Sequence, residues 1–380
     1  CGHLRMIEDG DDMSCEQDVP VQRTVRSNAL SLEAERITGC LLAGAAGDAL
    51  GARVEFMSWD EIRCGFGNWG IRSMAPVYGR RGAITDDTQM MLFTAEGLLR
   101  AFVRQADTGS CHVPAVIHHA LQRWLVTQGV EPTLSPCRDG WLIRQKELWS
   151  RRAPGNTCLS TLIDSAEFGE HAVNDSKGCG GVMRVAPCAF LFNSFEVASE
   201  SARLTHGHPT GYLAAGLFAD ILNRLWRNIQ LDDATVIALQ AHGGKPGMEE
   251  TRRLIEYVLR LHQQGVRPNP ERIADLGGGW VAEEALAIGL WCALAAESLE
   301  DGVITAVNHS GDSDSTGMIA GNLLGLIYGP QAIPDRWLED LELRDVITQI
   351  AVDLADIPQR YQAGSDARHD VLTRSRYPAW

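Results

Sequence analysis

From Ser31 onward, apolar residues return every three or four positions, the spacing of one face of an α-helix. The pattern predicts helices over 88–104, 114–127, 195–205, 210–228, 247–264, 281–299, 314–328 and 341–360. In the first of these, Met91, Ala95, Leu98 and Phe102 fall at i, i+4, i+7 and i+11 and make one apolar stripe. A further helix is expected to start at Ser31, where Ser31-Leu32-Glu33-Ala34-Glu35 sets a capping hydroxyl before first-turn acids. It carries Ile37, Cys40, Leu41, Ala45 and Ala49 at helical spacing, interrupted by Gly44, Gly47 and Gly51. A glycine weakens a helix by up to about 1 kcal/mol, so three of them point to close approach by another backbone or by a ligand. Strand-like alternation is scarce, and no repeat period or long Pro/Ser linker follows residue 31. The fold class predicted is all-α: one large helical domain over 31–365, an irregular arm over 1–30 and a tail over 366–380.

The arm differs in composition from the domain. Between Glu8 and Asp18 lie six acids (Glu8, Asp9, Asp11, Asp12, Glu16, Asp18) and no base. Such a segment reads as a solvated tail, or as an arm that docks on a basic partner or over its own site. The whole chain has 380 residues, 45% apolar and 22% charged, which is ordinary for a globular protein. Its net charge of −15 argues against a nucleic-acid partner, because phosphate-backbone binding needs a basic surface. The ten cysteines are spread evenly and never form CxxC, as expected of reduced thiols in a cytoplasmic protein. The small-residue run at 40–50 is broken by Asp48 and falls short of the roughly 20 residues a membrane span needs, so no membrane partner is expected. No signal peptide is read at Cys1, and a truncated start is expected there in preference to a lipidated one.

Two short acidic motifs carry the candidate chemistry: Thr85-Asp86-Asp87-Thr88 and Asp312-Ser313-Asp314-Ser315-Thr316. Hard divalent cations such as Mg²⁺ want several oxygen ligands, and brought together these motifs supply enough carboxylates and hydroxyls for two ions. Each also has a plain structural explanation, as the cap and first-turn acids of the helix that follows. The second motif opens like an EF-hand loop, but the twelfth position of such a loop would be Leu323, which cannot chelate, so that reading fails. The run Lys177-Gly178-Cys179-Gly180-Gly181-Val182-Met183-Arg184 could cradle phosphates with its N–H groups, though it lacks P-loop and dinucleotide spacings. His206-Gly207-His208-Pro209 opens the 210–228 helix, where either histidine has an ordinary structural use.

Taken in order, Gly47-Asp48-Ala49-Leu50-Gly51 with Glu55, then Thr85–Thr88, then Lys177–Arg184, then His206–Pro209, then Gly311–Gly317 resemble the ADP-ribosylglycohydrolases. The resemblance covers about 31–365. It implies an all-α fold with a binuclear Mg²⁺ (or Mn²⁺) centre at the base of a cleft. It implies metal ligation by Thr85, Asp86, Asp87, Asp312, Asp314 and Ser315. It also implies Glu55 over the scissile bond, and Gly178, Cys179, Gly180, Gly181, Val182, Met183 and His208 along an ADP-ribose pocket. Glu55 or Asp312 can shuttle protons there, and the assignment expected is Glu55 as acid/base with Asp312 bridging metal and substrate. Relatives often carry Asn and Ser where this chain has Cys179 and Gly181, so contacts there fall to backbone N–H groups.

The function this implies is metal-dependent removal of ADP-ribose from an ADP-ribosylated protein, with arginine linkage expected and serine or O-acetyl linkages as alternatives. A second class of function is a binding protein whose acidic arm occupies an ADP-ribosyltransferase toxin, in the manner of an immunity protein. A third is a metal-free pseudoenzyme of the same fold, which the complete ligand set disfavours.

Overall fold

Ser31 caps a helix as its sequence implies: its Oγ accepts the Ala34 N–H at 3.1 Å and starts α1 (Leu32–Gly51). In the computed structural model, which describes residues 31–362 and 370–380, the chain continues as α2 (Trp59–Phe66), α3 (Asp86–Thr108), α4 (Val113–Thr127), α5 (Asn156–Asp164), α6 (Ser194–Arg203), α7 (Pro209–Trp226) and α8 (Leu231–His242). It ends with α9 (Glu249–Gln263), α10 (Pro270–Ile273), α11 (Ala282–Leu294), α12 (Leu299–Val307), α13 (Ser313–Tyr328), α14 (Asp335–Asp340), α15 (Arg344–Gln362) and α16 (Val371–Arg376). Among the described residues there is no strand, only the isolated bridges Val77–Arg80 and Gly178–Val281. The all-α class is therefore correct. The acidic arm lies outside the described residues.

The largest helix–helix contact joins α1 to α13, and it explains the glycines of α1. A Cβ on Gly47 would stand 2.1 Å from the Gly317 carbonyl oxygen, and one on Gly321 would stand 2.2 Å from that of Ala43. No side chain fits at either point, so the two backbones touch. The close approach foreseen from sequence is to backbone at Gly47 and Gly51 and to the Asn322 side chain at Gly44. This packing fixes the N-terminal end of α13 beside the C-terminal end of α1.

Helix α3 runs through the core and is buried on every side over 86–101: Met90, Leu92, Phe93 and Leu99 are buried as well as the expected stripe residues Met91, Ala95 and Leu98, while Phe102 is half-buried and the last turn is exposed. It even buries charge. Glu96 receives Arg100 at 3.2 Å and Arg123 at 2.9 Å, all three fully buried, so each charge has a partner, as interior ions require. The helix expected over 281–299 stops at Leu294, and a separate helix not foreseen from sequence, α12, starts at Leu299, where Ser298 accepts the Asp301 N–H at 3.1 Å as its cap. Within 371–380, expected as part of a tail, Val371–Arg376 forms α16 and the residues after it pack on the domain. Tyr377 is fully buried with its hydroxyl donating to Asp353 at 2.7 Å, and the Trp380 ring lies under Arg104 at 4.2 Å. Among the described residues, no helix is long and apolar enough to cross a membrane.

Candidate functional site

Both acidic motifs are helix caps, and they also meet. Thr85 is the N-cap of α3 and accepts the Asp87 N–H at 3.3 Å. Asp312 is the N-cap of α13 and accepts the Ser315 N–H at 3.3 Å. Across the junction Ser315 Oγ donates to Asp87 Oδ2 at 2.8 Å. Glu55, on the turn after α1, brings a carboxylate oxygen to within 4.8 Å of oxygens of Asp312 and Asp314. Asp86 joins them on the same cleft, its Oδ2 accepting the Gly155 N–H at 3.2 Å. Capping is what aims these carboxylates: the first-turn acids of two helices project from two N-termini toward one point.

Behind the cluster sits Asp48 of α1, fully buried. Its Oδ1 accepts the Thr85 hydroxyl at 2.8 Å and the Thr85 N–H at 3.1 Å, while Oδ2 takes the Thr88 N–H at 3.2 Å and the Thr88 hydroxyl. A carboxylate from one helix therefore completes the N-terminus of another.

The cluster is crowded with like charge. Burial, then Asp314, pushes Asp48 up to about 7. Burial, then Asp314, Asp312 and Asp86, pushes Glu55 up to about 11. Asp86, Asp87 and Asp312 are held well above the usual carboxylate range by the same two causes, and burial raises Asp314. Among the described residues no Lys, Arg or His side chain makes an ion pair with any of them. Glu55 Oε2 is buried without a hydrogen-bond partner. Hard oxygen donors, an orphaned carboxylate oxygen and uncompensated charge together fit divalent cations.

The carboxylates floor a cleft of about 570 Å³. Gly178, Cys179, Gly180 and Met183 line one wall, whereas Gly181 and Val182 are buried behind it. Cys179 donates its thiol to Asp312 Oδ2 at 2.8 Å, and its N–H to the Trp280 carbonyl at 3.1 Å. His208 does not line the cleft. Because Pro209 opens α7, His208 becomes its N-cap, and its Nδ1 accepts the Thr210 N–H at 3.1 Å. The histidine on the cleft is His206, held neutral by burial and by Arg184, with its pKa lowered to about 3. Gly178 lets it in, since a Cβ there would lie 3.2 Å from His206 Nε2.

The sequence left several site residues without a role. Asp48 had a signal, a lone acid inside a helix of small apolar residues. Phe56, Arg151, Trp280 and the start of α5 also line the cleft, and no motif marked them. Tyr78 stands at φ +51°, with its phenol pushed up by burial and by the charges of Glu55 and Asp314.

A sequence profile of the ADP-ribosylglycohydrolase family matches residues 29–364. The chain is 26% identical over 325 residues to the ADP-ribosyl-[dinitrogen reductase] glycohydrolase of Rhodospirillum rubrum, covering 82% of this chain and 91% of that one. It is 25% identical over 378 residues to the ADP-ribosylarginine hydrolase Tri1 of Pseudomonas putida, covering 93% and 89%. It is also 27% identical to the ADP-ribosylhydrolase ARH3 of Mus musculus, over 207 residues that cover 46% and 56%. Among solved structures, a chain of an "ADP-ribosylglycohydrolase-related protein complex" matches with a TM-score of 0.63 and 26% identity, covering 86% of this chain and 98% of that one.

Proposed function

The chain belongs to the ADP-ribosylglycohydrolase family, whose activity is hydrolytic removal of ADP-ribose, and from that premise we propose that it frees arginine side chains of a modified protein. The observation that carries this is the approach of Glu55, Asp312 and Asp314 within 4.8 Å on the floor of the cleft, with Asp86 and Asp87 alongside. The arginine linkage is favoured by the full-length likeness to a relative named for ADP-ribosylarginine, against a match of half that coverage to ARH3.

We assign two Mg²⁺ ions, with Mn²⁺ as the substitute, to oxygens of Thr85, Asp86, Asp87, Asp312, Asp314 and Ser315. Divalent cations held there supply Lewis acidity and cancel the charge of the cluster. Cleavage at the ribosyl carbon adds water across the C–N bond, so a proton must leave the water and another must reach the departing guanidine. Glu55 moves that proton at Oε2, the one oxygen of the cluster that is buried and unbonded. Asp312 orients the substrate from the cap of α13. The Gly180 N–H and the start of α5, with Arg151, serve the phosphates of the ADP half, since the Gly178 and Cys179 N–H groups are taken by Ser176 Oγ and the Trp280 carbonyl. The toxin-binding alternative rests on the acid-rich residues 8–18 alone.

The test is release of ADP-ribose from arginine-, serine- and O-acetyl-linked substrates, each with Mg²⁺ and with EDTA. Metal-dependent release from arginine supports the reading; release confined to another linkage would reassign the substrate, and no release from any would remove it.

A further inference from the structure

Two aromatic rings stand exposed at the cleft, Phe56 at 71% and Trp280 at 45%, stacked with centroids 5.7 Å apart and planes within 15°. Exposed aromatic pairs cost hydration free energy, so a pair kept beside an acidic floor calls for an occupant. The backbone that carries Trp280 is also firmly placed. The Trp280 carbonyl accepts the Cys179 N–H, and the Gly278 carbonyl accepts the Asp312 N–H at 2.8 Å. Glu284 Oε2 takes the N–H groups of Gly278 and Gly279, each at 3.1 Å, and a Cβ on Gly278 would press within 2.8 Å of the Trp280 ring. Phe56 follows Glu55 directly on the turn after α1.

We propose that Phe56 and Trp280 form an aromatic platform for the guanidinium of the target arginine, and so determine specificity for the leaving group. This rests on the arginine reading above. A guanidinium is planar and cationic, stacks on aromatic faces and seeks carboxylates nearby; the platform and the Glu55–Asp312–Asp314 floor offer both. A serine hydroxyl is neither planar nor cationic, and an acetyl group, though planar, carries no positive charge. Adenine is the competing occupant for a ring pair. It is separated from the reacting carbon by two phosphates and two ribose rings, whereas Phe56 is the next residue to Glu55.

The experiment compares wild type with Phe56→Ala, Trp280→Ala and the conservative Trp280→Phe. It reads kcat/KM on arginine- and serine-linked ADP-ribosyl peptides, and binding of N-acetyl-arginine amide, N-acetyl-lysine amide and free ADP-ribose by calorimetry. Both alanine variants are expected to lose roughly tenfold in arginine-peptide kcat/KM and in arginine-amide binding. Free ADP-ribose should bind them as it binds wild type, and Trp280→Phe should keep most of both properties. Equal losses on every linkage and on free ADP-ribose would give the rings to the adenine half and overturn the proposal; unchanged arginine binding would overturn it as well. If wild type releases nothing from arginine, the arginine reading falls by itself, and the arginine-amide binding still decides what the rings do.

Discussion

Asp48 of α1 caps the start of α3 by receiving both the N–H and the hydroxyl of Thr85, at 3.1 and 2.8 Å. It also takes the N–H of Thr88 at 3.2 Å, so the loop that presents Asp86 and Asp87 hangs on a carboxylate from another helix. Asp48→Ala would leave those buried donors unpaired, a cost of about 1–3 kcal/mol for each unsatisfied group before relaxation. Removal of one repelling charge returns part of this. Thermal unfolding in EDTA should show a net loss of about 2 kcal/mol, and Mg²⁺ should recover little of it. A variant as stable as wild type and equally responsive to Mg²⁺ would show that Asp48 is not the frame.

Gly47→Ala tests the same frame from the packing side. Its Cβ would stand 2.1 Å from the Gly317 carbonyl oxygen, and backbone cannot rotate away as a side chain can. Helices α1 and α13 must separate, and overpacking of this kind costs about 1–3 kcal/mol. Separation also moves Asp48 and Glu55 away from Asp312 and Asp314, so activity should fall more than stability. Gly244→Ala is the control, since its Cβ meets nothing within 4 Å and should change stability by less than about 0.5 kcal/mol.

The long helices were legible because burial on one or more faces leaves a 3.6-residue period, and α3, α4, α7 and α13 appear within two residues of their expected starts. The short α5 and α8 were not: α5 buries only Cys158, Leu159 and Leu162, and α8 keeps the helical spacing with small or polar residues, Ala234, Thr235 and Ala238, which give little hydrophobic contrast. The acidic motifs were legible because capping and ligation ask for the same residues in the same few positions. What could not be read was partnership across the chain. Gly47 announces close contact but not Gly317, and His208 and His206 differ only in which one Pro209 turns into a cap. Phe56 and Trp280 carry no local signal, since their meeting depends on the turn after α1 and the Gly277–Gly279 loop.

Asp314 is the strongest single source of repulsion in the cluster, the leading charge acting on Asp48, Glu55, Asp86, Asp87 and Asp312. Asp314→Asn should therefore hold or raise the melting temperature in EDTA while turnover falls by orders of magnitude, an exchange of function for stability. The Mg²⁺-induced rise in melting temperature should disappear with turnover. Loss of folding in EDTA would make Asp314 a structural residue first, and unchanged turnover would remove it from the proposed ligand set.

The pH dependence of the cation effect follows from the direction of these shifts. Asp48 rises from 3.8 to about 7 on folding, and Glu55 from 4.5 to about 11. A group raised in the folded state stabilises it fully below the unfolded pKa and loses that contribution as pH climbs through the folded one. In EDTA the cluster therefore favours the folded state more at pH 5.5 than at pH 8. Cations bind the ionised oxygens and release the protons, so affinity grows with pH, and the stability added by a fixed Mg²⁺ concentration grows with it. Buried histidines act in the opposite sense: burial lowers His118 to about 4 and His119 to about 3, so their contribution is lost as pH falls below the unfolded value of 6.5. They lie outside the cluster and contribute equally with and without Mg²⁺. The quantity to measure is then the difference in melting temperature between Mg²⁺ and EDTA, in which the histidines cancel. It should be larger at pH 8 than at pH 5.5, and an equal or reversed difference would mean that the carboxylates are not the groups that hold the cations.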